Sequence, residues 1–117
     1  MASLAELLQI EGVVAAGEWT TDGSLIDYKA SMDITPGLMA GAAAFCETVT
    51  ATFEKLSESY SQLSGMNWTP QHGWAYSGGD WSIVVGEGGR KGVFVETAKA
   101  DFNTLFGHLV AEADRGT

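Results

Sequence analysis

Residues 35–65 read TPGLMAGAAAFCETVTATFEKLSESYSQLSG, and the rest of the chain follows from how this stretch is taken. Met39, Ala42, Cys46, Val49, Phe53, Leu56, Tyr60 and Leu63 step by three and four residues without a break. That spacing lays an apolar stripe along a helix of about 30 residues, roughly 45 Å long at about 1.5 Å per residue. Thr35 suits the N-cap and Pro36 the first helical position, while Ile34 can staple onto Met39. Gly65 supplies the left-handed residue that closes the other end. No other segment approaches this length, so the shorter elements must pack along it.

Opposite the stripe, Gly37, Ala40, Gly41, Ala44, Thr48 and Ala51 share a second side of the helix. Gly41 lies in the helix interior, where glycine costs about 1 kcal/mol relative to alanine, and a close backbone approach would offset that cost. A sheet already takes the other face. The approaching element is therefore the same helix of a second chain, related by a two-fold axis, and these six residues are the expected homodimer contact. Lys55, Glu58 and Gln62 turn this side polar, confining the contact to the N-terminal half.

Upstream, Ser3-Leu4-Ala5-Glu6 is a capping box opening a short helix with Leu4, Leu7 and Leu8 on one side, ending near Glu11-Gly12. Residues 12–19 are small and β-branched, suited to burial on both faces. Thr21-Asp22-Gly23 predicts a hairpin turn. The return strand, 24–31, sets Ile26, Tyr28 and Ala30 on one face and Leu25, Asp27 and Lys29 on the other. Downstream of the long helix, 66–73 (MNWTPQHG) reads as an ordered loop, with Thr69 held extended by Pro70. Strands at 74–77 and 81–85 flank a Ser77-Gly78-Gly79-Asp80 turn, 86–91 turns more loosely, and Val93-Phe94-Val95 completes a meander. Asp101, in preference to Thr97, caps a final helix carrying Phe102, Leu105, Phe106, Leu109 and Val110 on one side. The order αββαβββα, without linker or repeat, describes one domain over 1–117. It is an α+β, profilin-like arrangement, a five-stranded antiparallel sheet with helices on both faces.

A chain of 117 residues with 45% hydrophobic and 18% charged residues has the composition of a single globular core. Six Lys and Arg against fifteen Asp and Glu give a net charge of -9. There is no basic stripe for nucleic acid, acidic membranes are disfavoured, and basic partners are favoured. The N-terminal MASLAELLQIEG lacks the basic start and apolar run of a signal peptide. No stretch approaches the roughly 18 apolar residues that span a bilayer. The single Cys46 rules out an internal disulfide, and the expected compartment is the cytoplasm.

The opening LAELLQIEGVVAAGEWTTDGSLIDY, Leu4 to Tyr28, resembles that of roadblock/dynein-light-chain domains, where a short helix leads into an EGVxAA strand and a D-G hairpin. The later order of elements fits the same family. GWAYSGGDWSIVVG and GVFVE are similar to an uncharacterised branch of short stand-alone prokaryotic proteins. The resemblance implies a roadblock-like fold and a non-enzymatic dimer that scaffolds or regulates other proteins, often small GTPases.

No motif for catalysis, metal or cofactor stands out. Cys46 sits on the apolar stripe, far in sequence from His72 and His108, and no pair of these has zinc-ligand spacing. Ser77-Gly78-Gly79 turns between strands with no helix to make a nucleophile elbow, and the carboxylates are scattered. Gly86-Glu87-Gly88-Gly89 lacks the Walker pattern, although Arg90 and Lys91 beside it could frame an anion nest. Trp74 and Tyr76 share a strand face and Trp81 lies across the turn. With Trp68, His72, Arg90 and Lys91 they form the candidate partner or ligand surface. The leading expectation is a homodimeric regulatory or scaffolding module for an unidentified protein, such as a small GTPase or a metabolic complex. The alternative is a small-molecule sensor with an aromatic pocket around Trp68, Trp74 and Trp81.

Overall fold

Alternating side chains split the sheet into two buried faces, each covered by helix. The computed structural model describes residues 3–66, 73–86 and 90–115, without the side chains of 110–115. The strands are β1 (Val13–Trp19), β2 (Leu25–Ala30), β3 (Trp74–Gly78), β4 (Trp81–Gly86) and β5 (Lys91–Glu96), and the helices are α1 (Leu4–Leu8), α2 (Pro36–Ser64) and α3 (Phe102–Arg115). All neighbouring strands pair antiparallel, in the order β2-β1-β5-β4-β3. Along β4, Val84 packs with Leu4 and Leu7 of α1 and Leu105 and Leu109 of α3, whereas Ile83 and Val85 pack with Ala43 and Cys46 of α2. This is the α+β arrangement expected from the order of elements.

The helix ends form where the local chemistry places them. The Ser3 hydroxyl accepts the N–H of Glu6 at 3.1 Å, and the Thr35 hydroxyl accepts that of Leu38 at 3.1 Å. Gly65 closes α2 with φ at 69°. Asp101 caps α3, its carboxylate accepting the N–H of Thr104 at 3.1 Å. That bond holds the Asp101 carboxyl below its ordinary 3.8. Its contribution to stability is therefore complete above 3.8 and is lost as pH falls through the lower folded value. Asp101→Asn keeps a capping oxygen without a titration, so it should lose less stability than wild type between about pH 5 and about pH 2. Urea denaturation at a series of pH values measures this, and parallel curves would contradict it.

Four expectations need correction. α1 stops at Leu8 rather than near Glu11, because Gln9 caps it and Gly12 turns the chain at φ 87°. A Cβ at Gly12 would stand 2.8 Å from the Cβ of Lys99, so the turn is also a tight crossing. In β2, a bulge opposite Glu18 and Trp19 pairs Trp19 with Leu25 and leaves Ile26 as the extra residue. Leu25 thus joins the side of the sheet that carries Trp19, while Ile26 turns outward and is 59% exposed. β5 runs the full Lys91–Glu96 rather than three residues.

The fourth concerns α2. Its buried positions are Met39, Ala43, Cys46, Thr50 and Ser57, which keep the true helical period. A stripe stepping by three and four in turn averages about 3.5 residues and drifts by about 20° per heptad. The drift carries Leu63 out to 82% exposure and leaves Leu56 and Tyr60 exposed as well. The core line is built of smaller side chains because the sheet comes close: a Cβ on Gly17 would lie 3.0 Å from the end of Met39.

A candidate interaction site beside the long helix

α2 carries a second apolar wing, angled away from the core. Leu38 and Phe45 point there, 57% and 76% exposed, with Val49 half-buried behind them. Beyond lies β3, the outermost strand on its side of the sheet, paired only with β4 among the described residues. Between helix and strand runs an open groove of about 570 Å³. Gly37, Gly41, Phe45 and Phe53 line it from α2, and Trp74, Ala75 and Tyr76 from β3. Among the described residues no charged side chain lines it.

Its back wall is fixed by two contacts. The indole N–H of Trp74 donates to the buried hydroxyl of Thr50 at 3.2 Å, and the rings of Trp74 and Phe53 meet at 6.1 Å and 55°. Tyr76 projects from the same strand face into solvent. At the groove floor, burial and the adjacent Glu47 charge push the Cys46 thiol up to about 11. A neutral thiol there is inert. Cys46 should resist iodoacetamide near pH 8 and react once urea unfolds the chain; rapid alkylation of folded protein would show that the floor opens.

The other expected site residues are dispersed. Of the six small residues assigned to the dimer contact, Gly37 and Gly41 line the groove, whereas Ala40, Ala44, Thr48 and Ala51 stand exposed outside it. Trp81 lines a separate concavity with Asp80, Glu96 and Thr97, so Trp74 and Trp81 do not share one pocket. Trp68 and His72, and the nest expected at 86–89 in all but Gly86, lie outside the described residues. Lys91 is buried, 4% exposed, and is no surface anchor. Arg90 is exposed and its charge reaches Glu47, whose carboxyl is raised by burial and by Glu54. Ser77, Ser82 and Thr97 form a hydroxyl chain at 2.8 Å per link, with no histidine in it. Among the described residues no group of three or more His, Cys, Asp or Glu is placed to hold a metal ion. No described helix is long and apolar enough to cross a membrane. The sequence reading missed Leu38 and Phe45, which lie outside the three-four stripe; the signal for them was their own spacing of seven residues, with Val49 four further on.

Solved structures with the same fold place this arrangement among known ones. An MglB with a tetrameric arrangement aligns at a TM-score of 0.70 and 17% identity, over 97% of this chain and 87% of that one. The gliding protein MglB of Thermus thermophilus aligns at 0.69 and 17% identity, over 90% and 76%. A Roadblock/LC7 domain from Streptomyces avermitilis aligns at 0.69 and 14% identity, over 98% and 92%. The chain thus has a roadblock-like fold. Among curated proteins none matches it in sequence. A family profile covers residues 3–111, and the chain belongs to that family, the uncharacterized conserved proteins DUF2173.

Proposed function

We propose that this chain is a non-enzymatic homodimeric module that binds another protein, with a second copy of itself seated in the groove between α2 and β3. The groove is the observation that carries this reading. Its described lining is uncharged, it exposes Leu38, Phe45 and Tyr76 together, and it runs beside a strand whose outer edge no described strand pairs. Copies of a chain with a net charge of -9 repel each other except across a neutral face, and this is such a face. Pairing across a two-fold axis buries both apolar wings and joins β3 to its counterpart. The tetrameric arrangement of one solved MglB supports self-association as compatible with the fold.

The partner protein meets the remaining, acidic surface. A basic partner fits that charge, and its affinity falls as salt is added. The roadblock resemblance makes small GTPases the first class to screen.

Light scattering on size-fractionated protein tests the dimer. Wild type should run as a dimer. Phe45→Glu should run as a monomer with unchanged helix content, since it buries a charge only when two copies meet. Ala44→Glu, outside the groove, should remain a dimer. The reverse pattern would move the contact to the small-residue face of Ala40, Ala44, Thr48 and Ala51.

A further inference from the structure

We infer that Gly41 is the seat into which Phe45 of a second copy inserts, so that one helix carries both halves of a self-selecting lock. This rests on the dimer proposed above and names the pair that sets its choice of partner. Among the described residues nothing requires glycine at 41. Its φ is not positive, and a Cβ built there meets no atom within 4 Å. Glycine inside a helix is unfavourable, so the open space it leaves calls for an occupant from outside.

Phe45 is such an occupant. It lies one helical turn further on, it is 76% exposed, and it lines the same groove as Gly41. When two copies of α2 cross about a two-fold axis between these positions, residue 41 of each faces residue 45 of the other, and the contact is made twice. The described residues of the groove carry no charge, so a phenyl ring suits it where a lysine or glutamate would not. A related chain with a bulky side chain at this position would be refused, because the ring would have nowhere to go.

The test is a swap, read by sedimentation equilibrium with circular dichroism as the folding check. Gly41→Phe fills the seat and Phe45→Ala removes the ring, and each alone should raise the dimer dissociation constant by about 100-fold with helix content unchanged. The double variant exchanges knob and hole, and should return to within about tenfold of wild type. Wild-type affinity in Gly41→Phe overturns the lock while leaving the dimer standing. So does a double variant no better than its single parents. Wild-type protein that stays monomeric at all concentrations overturns the dimer and the lock together.

Discussion

Gly86→Val is expected to cost about 3 kcal/mol or more of folding stability, among the largest effects of any single substitution in this chain. Gly86 ends β4 in a buried position, directly under α3. A Cβ there would stand 2.5 Å from the Cβ of Leu109 and 3.0 Å from its carbonyl carbon. Neither atom belongs to the free end of a side chain that could swing aside. The helix as a whole must lift, which uncovers Leu105 and Leu109, now fully buried against Val84. Urea denaturation followed by circular dichroism measures the cost. An unchanged midpoint would mean that α3 does not press on β4 in solution.

Leu105→Ala and Leu63→Ala should differ by a wide margin although both leucines lie on apolar helix stripes. Leu105 is fully buried between α1, α3 and the sheet, and truncating it should cost about 2–5 kcal/mol, the transfer loss plus the cavity left behind. Leu63 is 82% exposed, and its truncation should stay within about 0.5 kcal/mol. Denaturation midpoints of the two variants decide it. Similar losses at both positions would place the end of α2 in a core.

That contrast marks the limit of what the sequence could tell. Caps and turns were legible because their chemistry is local: Ser3, Thr35 and Asp101 each accept an N–H three residues on, and Gly23 and Gly65 take positive φ. The face of α2 was only half legible. A three-four repeat looks the same whether it stays on the core or slides off it, and only the close approach of the sheet selects Ala43 and Thr50 over Leu56 and Leu63. The faces of β2 were lost for a related reason. One extra residue reverses the alternation, and Ile26 carries no local mark of being that residue. The candidate site was legible in composition, through Gly41, Trp74 and Tyr76, but not in assembly. Its walls come from segments about 30 residues apart, and Phe45, its most exposed member, falls outside the apolar stripe that the three-four spacing marks.

The bulge in β2 has a bearing on valency. The sheet has two outer strands, yet they are not equally available for strand addition. In β2 the ladder is interrupted beside Ile26, and the Asp27 carboxylate already accepts the N–H of Tyr28 at 2.8 Å. A strand approaching that side meets an irregular backbone with one donor taken and a negative charge in front of it. β3 keeps an unbroken register with β4 from Trp74 to Gly78 and carries no charged residue. A sheet that can be extended at one side only is a monovalent unit. In the dimer proposed above, two such units joined through β3 would terminate each other, so strand pairing would yield a finite particle rather than an indefinitely growing ribbon.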